Sequence, residues 1–410
     1  MNAQPPLSVA DARARILTEV TPDRPVEIIP LARALGRTLA KDLASKRTQP
    51  PKAVSAMDGY AVRAADLAEL PVKLQWIGES AAGHGFSGRL GAGEAVRIFT
   101  GAPVPDGANA ILIQEDARAE AGFIEPLQSV AEGAYVRPKG LDFVEGEVLL
   151  LRGTSLGPNE IALAAAMNHA ELAVTRRPRI GILATGDELV APGQSIGADQ
   201  IVASNSFAIA ALVESAGGEP LDLGIAADSF EALETGVRAA RDAKADVLVT
   251  LGGASVGDHD LVKPALAKEG MELGFWRIAM RPGKPLIHGR LGPMTILGLP
   301  GNPVSAIVAG LLFLSPLVRA LSGDPKAGDE ASEPAVLGDA VSANDGRQDY
   351  LRATLAPSAT GLPAARPFEA QDSSLLRVLA QAQCLVIRAP YAPAGKAGDP
   401  CQIIRLPSAR

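Results

Sequence analysis

The sequence predicts a multidomain α/β protein built around a doubly wound parallel α/β domain at residues 178–323. Short runs rich in Val, Ile and Leu alternate there with amphipathic stretches, and this alternation is typical of strands and helices in such a domain. The chain has 410 residues, more than one ordinary hydrophobic core accommodates, so two to four domains are expected. The flanking segments have different patterns and are assigned to separate domains.

Elements of the doubly wound domain follow from apolar periodicity and from capping residues. The expected strands are residues 179–185, 221–225, 247–251, 275–280 and 295–297. The expected helices are residues 205–216, 229–242, 261–268 and 304–321. The strand at 247–251 is apolar throughout, as expected for a strand buried on both faces of a parallel sheet. Ligands of such folds bind at the loops that follow the strand ends.

Three further domains are predicted around this one. Residues 1–45 and 146–177 predict a helical domain, with apolar residues at helical spacing and a short helix at 30–35. Residues 46–145 contain short β runs separated by Gly and Pro, which predicts an inserted β domain. Residues 324–410 follow a linker rich in Pro, Gly and acidic residues, and their short strands predict a small C-terminal β barrel or sandwich.

Composition narrows the class of partner and the cellular compartment. The net charge is −7, from 39 basic and 46 acidic residues, which argues against a general nucleic-acid-binding protein. Cys384 and Cys401 are the only cysteines, so a disulfide framework or thiolate metal cluster is not expected. We find no secretory apolar segment and no unbroken run of about 18 apolar residues, so no membrane association is expected. A cytoplasmic protein is predicted.

The glycine-rich turn after the strand at 247–251 is the strongest local indication of chemistry. Gly252, Gly253 and Gly257 permit positive φ and let backbone N–H groups point at an anion. Asp258 and Asp260 follow, and carboxylates are the ligands that a hard cation such as Mg²⁺ prefers. The turn matches neither a dinucleotide-binding fingerprint nor a P-loop. An anion cradle beside cation ligands suggests phosphate chemistry.

Two other strand ends of the same domain carry comparable loops. Asp187 and Glu188 follow the strand at 179–185. Gly301 and Asn302 precede the long apolar helix, whose N-terminus offers N–H groups and the positive end of a dipole to an anion. Three acidic or phosphate-type loops in one domain indicate phosphate chemistry more specifically than any one of them does.

A local cluster of cations lies between these loops in sequence. Arg277, Arg281 and Lys284 fall within eight residues of an acidic chain and could meet an anionic substrate. The alternative is a solvated strand edge. Elsewhere, Asp58 lies in a proline-stiffened loop before Gly59, where it is either a functional carboxylate or the cap of an Asx turn.

Six short motifs, in order over residues 5–406, resemble the molybdopterin molybdenumtransferases (the MoeA family), which share this architecture with the E domain of gephyrin. The matching segments are Met57-Asp58-Gly59-Tyr60-Ala61, Thr100-Gly101-Ala102-Pro103, Thr185-Gly186-Asp187-Glu188-Leu189, Gly252-Gly253-Ala254-Ser255-Val256-Gly257-Asp258 with Asp260, Pro282-Gly283-Lys284-Pro285 and Leu299-Pro300-Gly301-Asn302-Pro303. The resemblance accounts for all four predicted domains and implies that the α/β domain is of the molybdopterin-binding type.

The resemblance implies a transferase that inserts molybdenum from molybdate into adenylylated molybdopterin and releases AMP, with Mg²⁺ or another divalent cation. It also implies a homodimer whose active cleft lies between the doubly wound domain of one subunit and the β domain of the other. Transient contacts with a molybdopterin adenylyltransferase and with molybdoenzyme acceptors are expected, whereas nucleic acid and membranes are not.

Candidate site residues are carried over from the family positions. The catalytic candidates are Asp58, Thr100, Asp142, Glu188 and Asp260. The metal-binding candidates are Glu188, Asp228, Asp258 and Asp260. The substrate-binding candidates are Gly252, Gly253, Ser255, Gly257, Arg277, Arg281, Lys284, Pro300, Gly301, Asn302, Arg352 and Ser373.

Several of these assignments have structural alternatives. Asp228 also fits a helix N-cap, and Asp258 could instead hold its loop. Arg277 and Arg281 stand where some relatives carry lysine, and a guanidinium binds oxyanions as a fork rather than as a point charge. His259 is expected to be an exposed loop residue rather than a ligand.

Other functions were weighed against the transferase. A molybdopterin adenylyltransferase uses an α/β domain of the same type, but the extra domains argue against that reaction. A non-catalytic molybdopterin-binding scaffold predicts the loss of active-site acids, whereas Asp58, Glu188 and Asp260 are all present. A nucleotide-dependent dehydrogenase lacks support because the dinucleotide fingerprint is absent.

Overall fold

A computed structural model describes residues 5–21, 24–253, 261–329, 331–358 and 361–407. The chain divides into two compact units. Unit 1 comprises Met1–Glu27, Gly36–Ala40 and Ala173–Arg410, and unit 2 comprises Ile28–Leu35 and Lys41–Leu172. The predicted boundaries of four domains, which are finer than this division, stay a prediction.

The secondary structure of the described residues is as follows. The helices α1 to α8 are Val9–Thr18, Pro158–Ala166, Asn205–Ser215, Phe230–Asp242, Val262–Lys268, Pro303–Ala309, Ser315–Leu321 and Leu376–Gln381, with a π-helical turn at Gly310–Leu314 and 3-10 turns at Leu31–Arg33, Ala64–Leu67 and Gln114–Asp116. The strands β1 to β26 are Val26–Pro30, Leu43–Ala44, Val54–Ser55, Gly59–Val62, Leu74–Ser80, Glu94–Ile98, Ala110–Ile113, Ala117–Glu120, Phe123–Pro126, Val136–Arg137, Val148–Leu150, Glu171–Thr175, Arg179–Thr185, Leu189–Val190, Ile201–Val202, Glu219–Ala226, Val247–Leu251, Glu272–Arg277, Met280–Arg281, Pro285–Leu291, Met294–Leu299, Ser332–Leu337, Gln348–Ala356, Ala364–Pro367, Cys384–Arg388 and Pro400–Arg405.

Unit 1 is organised by a six-stranded sheet in the order β16-β13-β17-β21-β20-β18. The first four strands are parallel, whereas β20 and β18 are antiparallel to their neighbours. Strand β20 was not predicted, because His288, Gly289 and Arg290 interrupt its apolar pattern. The strand expected at 275–280 is also two elements, since β19 leaves this sheet and pairs with β23.

Helices cover both faces of this sheet, which confirms the doubly wound prediction. One core contains α1, α3 and residues 303–321 together with Val247, Val249 and Leu251 of β17. The other contains α4, α5 and Leu248 of the same strand. Successive residues of a strand point to opposite faces, so an uninterrupted apolar run is needed where both faces are covered.

Helix α6, the π-helical turn and α7 together form one continuous helix, Pro303–Leu321, in the first core. By length and composition alone it could cross a membrane, but 67% of its apolar window is buried inside the protein. Most of its apolar side chains, from Val304 to Leu321, belong to the core that covers the sheet. Burial within the protein therefore explains its apolar composition.

The C-terminal strands form the predicted barrel within unit 1. The order β23-β24-β22-β26-β25 is closed by an additional pairing between β23 and β25. The barrel is filled by small and branched side chains, among them Ala353, Cys384, Val386 and Ile403. Closure pairs every strand edge, which removes the exposed edges of an open sheet.

Unit 2 contains a six-stranded sheet in the order β7-β4-β6-β5-β9-β8. Strand β4 runs antiparallel to both β6 and β7, and Tyr60 of β4 lies opposite Arg97 of β6. Apolar clusters lie on both faces of the sheet, one around Tyr60 and the other around Ala61. This sheet lies within residues 46–145, where the sequence predicts β structure.

The outer helical segments contain fewer helices than expected. The predicted helix at 30–35 is a single 3-10 turn, Leu31–Arg33, and residues 146–177 hold two strands beside α2. Helix α1 begins after an N-cap, Ser8, whose side chain accepts a hydrogen bond from the backbone N of Asp11. Helix α1 packs in the first core of unit 1.

Candidate active site

A cavity of about 650 Å³ opens in unit 1 at the carboxyl ends of β13, β17 and β21. The ends of neighbouring parallel strands meet at one edge of the sheet, so three loops distant in sequence converge there. The predicted site residues that line it are Glu188, Asp228, Gly252, Gly253, Pro300, Gly301 and Asn302.

Glycine is required at the end of β17. Gly252 and Gly253 have φ values of +101° and +59°, in the region that side chains rarely adopt. A Cβ on Gly252 would lie 2.7 Å from the carbonyl oxygen of Thr185 and 2.9 Å from its Oγ1. The backbone of Gly252 therefore approaches β13 more closely than a side chain would allow. Ser255, Gly257, Asp258, His259 and Asp260 lie outside the described residues, so their roles stay predictions.

Two carboxylates, Glu188 and Asp228, line this cavity, and the carboxylate of Asp187 lies near them. The backbone N of Asp228 donates to Oδ1 of Asp187 over 3.0 Å. Burial, together with the charges of Asp187 and Glu188, raises the pKa of Asp228. Like charges at close range destabilise one another, so this rim favours a positive ligand. In the part of the chain that the structure describes, no group of three His, Cys, Asp or Glu side chains forms a metal position by itself.

The alternative role of Asp228 as a helix cap is wrong. Ser229 is the N-cap of α4, and its hydroxyl accepts from the backbone N of Ala232. The carboxylate of Asp228 is not needed for this cap.

The loop before the long helix is held by two amide side chains. Nδ2 of Asn302 donates to Oγ of Ser373 over 2.8 Å, and the backbone N of Val304 donates to the Ser373 carbonyl oxygen over 3.0 Å. One N–H group expected to face an anion is therefore already engaged. Nδ2 of Asn205 donates to the Gly301 carbonyl oxygen over 2.7 Å. No sequence motif indicated this role of Asn205, because Gly301 is distant from it along the chain.

The three predicted cations have different environments. Arg281 is bound to carboxylates, with Nε 2.9 Å from Oδ1 of Asp349, and this hydrogen bond raises its pKa. The guanidinium of Arg277 stacks over the Trp276 ring at 4.1 Å from the centroid. Lys284 is exposed. Of the three, Lys284 needs the least rearrangement to meet a ligand.

Arg352 lies inside unit 1 rather than on an open surface. It is 2% exposed, and its Nη1 and Nη2 donate to the carbonyl oxygens of Tyr350 and Asp372, each over 3.3 Å. Burial lowers its pKa, while the nearby carboxylates of Asp372 and Asp349 oppose that shift. In this conformation Arg352 supports the segment that carries Ser373.

In unit 2, two predicted catalytic residues contact each other. Oδ1 of Asp58 accepts from both the backbone N and Oγ1 of Thr100, each over 2.7 Å. These hydrogen bonds lower the pKa of Asp58. Its carboxylate thus bonds a residue distant in sequence, and the Asx-turn alternative is wrong.

Asp142 lies in a separate cleft of unit 2. This cleft has a volume of about 680 Å³, and its charged lining residues are Arg47, Lys52, Arg137 and Asp142. Gly101, next to Thr100, also lines it. Unit 2 thereby offers cations near Asp142, whereas the described rim of the unit 1 cavity is acidic.

Comparison with known families covers most of the chain. Residues 7–168 match the MoeA N-terminal region (domain I and II), and residues 334–406 match the MoeA C-terminal region (domain IV). Residues 181–320 match a probable molybdopterin binding domain. The unit 1 cavity lies in this third match.

Individual proteins are similar along nearly the whole length. A molybdopterin molybdenumtransferase of Haemophilus influenzae is 34% identical over 93% of this chain and 94% of its own. One from a Nostoc species is 39% identical over 80% of this chain and 77% of its own. The solved moeA protein of Pyrococcus horikoshii OT3 is 26% identical, covers 98% of this chain and 100% of its own, and superposes with a TM-score of 0.84. The motifs, the domain matches and these relatives together place the chain in the molybdopterin molybdenumtransferase (MoeA) family.

Proposed function

We propose that the protein is a transferase of molybdenum cofactor biosynthesis, which inserts molybdenum from molybdate into adenylylated molybdopterin and releases AMP. One observation carries the proposal. A single cavity combines the glycine turn at Gly252 and Gly253, the helix start at Gly301 and Asn302, and the carboxylate of Glu188. Glycine turns and helix starts bind phosphate, and carboxylates hold a divalent cation.

This chain's own groups can orient a phosphate without a covalent step. Gly252 and Gly253 let the backbone approach the ligand closely. Asn205 and Ser373 hold the loop at Gly301 and Asn302, which limits its movement when a ligand binds. Phosphoryl chemistry relies mainly on positioning and charge neutralisation, so no strong protein nucleophile is needed.

The donor set fits Mg²⁺ or another divalent cation. Burial and then the negative charges of Asp187 and Glu188 raise the pKa of Asp228, and a bound cation would relieve the repulsion between these charges. Glu188 and Asp228 would hold the cation together with Asp258 and Asp260. When bound, the cation would neutralise charge on the phosphate oxygens.

We also propose that the protein acts as a homodimer in the cytoplasm. Asp58, Thr100 and Asp142 of one copy would then complete the cavity of unit 1 in the other. Support comes from the complementary charges, since the cleft at Asp142 is rich in cations and the rim at Asp228 is acidic. The substrate would come from a molybdopterin adenylyltransferase, and the product would pass to molybdoenzymes. A monomer in sedimentation experiments would contradict the shared site.

The decisive experiment mixes the purified protein with adenylylated molybdopterin, Mg²⁺ and molybdate, and measures AMP release and molybdenum bound to molybdopterin. We expect AMP release that depends on molybdate. Reactions without molybdate or with EDTA are the controls. If AMP release does not respond to molybdate, the proposed function is wrong.

The same preparation tests the two alternatives. Incubation with ATP and molybdopterin would yield adenylylated molybdopterin if the protein were the adenylyltransferase. A non-catalytic scaffold would bind molybdopterin but convert neither substrate. We expect neither of these results. The domains beyond the α/β domain argue against the adenylyltransferase, and the carboxylates Asp58, Glu188 and Asp228 argue against a non-catalytic scaffold.

A further inference from the structure

The guanidinium of Arg97 lies between the two strand ends that carry Asp58 and Thr100. Strands β4 and β6 are antiparallel, and their register places Tyr60 opposite Arg97. Asp58 directly precedes β4, and Thr100 follows β6 by two positions, so both lie at the same end of this strand pair. One residue pair, Gly59 and Ile98, therefore separates the Tyr60–Arg97 pair from Asp58.

Arg97 contacts the chain neighbours of both residues. Its Nη1 donates to the carbonyl oxygen of Gly59 over 3.3 Å. Its guanidinium carbon lies 5.0 Å from the ring centroids of both Tyr60 and Phe99, within range of a cation–π interaction. Gly59 follows Asp58 and Phe99 precedes Thr100. One side chain thus holds both strand ends.

A third strand is joined through Gln114, which follows β7. Nη2 of Arg97 donates to Oε1 of Gln114 over 2.8 Å. The backbone N of Gln114 in turn donates to the carbonyl oxygen of Asp58 over 3.1 Å. Arg97 therefore reaches the backbone of Asp58 from two directions, through Gly59 and through Gln114. A planar fork of donors can make these contacts together, whereas an ammonium group cannot.

The charge of Arg97 is not neutralised by a direct partner. Over the ranges that the structure describes, Arg97 forms no ion pair within 4.0 Å. Its positive charge also lowers the pKa of Asp58, but less than the two hydrogen bonds from Thr100 do. The hydrogen bonds and aromatic contacts of Arg97, rather than its charge, are the main means by which it acts on Asp58.

We propose that Arg97 is a positioning residue for the Asp58–Thr100 pair, which it aligns by joining the strand ends on either side. The expected effect of Arg97 on catalysis rests on the proposed function, whereas the alignment of Asp58 and Thr100 does not. It goes beyond the family resemblance, which assigned no role to Arg97. A purely structural arginine would stabilise the sheet but would act on the reaction independently of Asp58.

The first test compares AMP release by Arg97→Met and Arg97→Lys, with Arg118→Met as the control at an exposed position of β8. We expect Arg97→Met to lower kcat about tenfold to a hundredfold, as small misplacements of catalytic groups do. Arg97→Lys keeps the charge but loses the fork, and it should restore only part of the rate. Arg118→Met should leave the rate unchanged.

A double-mutant cycle with Asp58→Asn separates positioning from general stability. If Arg97 acts through Asp58, its replacement should have little further effect on the residual rate of Asp58→Asn. If the rate loss of the double variant equalled the product of the two single rate losses, the proposal would be wrong.

Amide hydrogen exchange of Thr100 provides a readout that needs no substrate. The N–H of Thr100 donates to Asp58, so a misaligned pair should expose it to exchange. We expect faster exchange at Thr100 in Arg97→Lys, with unchanged exchange in the strands β5 and β9. Equal exchange at Thr100 in the wild type and the variant would overturn the proposal. If the transferase assay failed, this measurement would still decide the role of Arg97.

Discussion

Asp228 of unit 1 and Asp58 of unit 2 are both candidate carboxylates, yet their surroundings shift their pKa values in opposite directions. The pKa of Asp228 is raised by burial and by the carboxylates Asp187 and Glu188. The pKa of Asp58 is lowered by two hydrogen bonds from Thr100. The carboxylate of Asp228 lies among like charges, whereas that of Asp58 already accepts hydrogen bonds from Thr100.

This difference indicates two different tasks. Crowded carboxylates are costly in the free protein and are stabilised when a cation binds, so the rim at Asp228 suits a metal site. A carboxylate that accepts two short hydrogen bonds is held in one orientation before any ligand arrives. Asp58 is therefore suited to orienting Thr100 and the adjoining loop. The same residue type thus serves two purposes because its neighbours differ.

The largest expected effect is that of Glu188→Gln, which removes one charge from the crowded rim and keeps the side-chain size. We expect AMP release to fall by about a hundredfold or more, as it does when a positioned carboxylate is lost from an active site. Asp242→Asn makes the same chemical change at the exposed end of α4 and should leave the rate unchanged. If Glu188→Gln released AMP at the wild-type rate, the proposed catalytic role of Glu188 at this rim would be wrong.

Gly252→Ala tests whether the unit 1 site also depends on its backbone. The added Cβ would overlap the Thr185 carbonyl oxygen at 2.7 Å, and φ is +101°. Gly270→Ala is a matched control, because φ is +91° there and no atom lies within 4 Å of the added Cβ. We expect Gly252→Ala to lower the free energy of unfolding by about 1–3 kcal/mol more than the control. If denaturant titrations gave the same loss of unfolding free energy for both variants, the backbone near Thr185 would accommodate the added Cβ at little cost.

The smallest expected effects are the opposite stability changes of Asp228→Asn and Asp58→Asn. The folded-state pKa of Asp228 is raised, so the protein loses stability as pH rises through the window between the ordinary and the raised value. Asp228→Asn should therefore raise the Tm of the metal-free protein at pH 7, and this gain should vanish below the ordinary carboxyl pKa.

The folded-state pKa of Asp58 is lowered, so its contribution is complete above the ordinary carboxyl pKa and is lost as pH falls through the lowered value. Asp58→Asn should therefore lower Tm at pH 7 and have less effect in acid. Thermal unfolding of both variants at pH 7 and pH 3 measures the two signs. Shifts in the same direction would contradict the electrostatic contrast.

Periodicity predicted most elements of the doubly wound domain, including the bounds of β13 and β17, because both faces of these strands are buried. It did not predict β20, whose polar residues break the apolar run. Among site residues, the positive φ at Gly252 was predictable because only glycine adopts it without strain. The engagement of Arg281 by Asp349 was not, since these residues are distant in sequence.

The sequence by itself determined the class of fold, the order of the family motifs and the glycines that a phosphate cradle requires. Only the tertiary structure decided that Asp58 pairs with Thr100, that Asn302 pairs with Ser373, and that Arg352 is buried. The physical reason is that local patterns depend on neighbours along the chain. Contacts between side chains depend on strand register and on packing between distant segments, which no local pattern specifies.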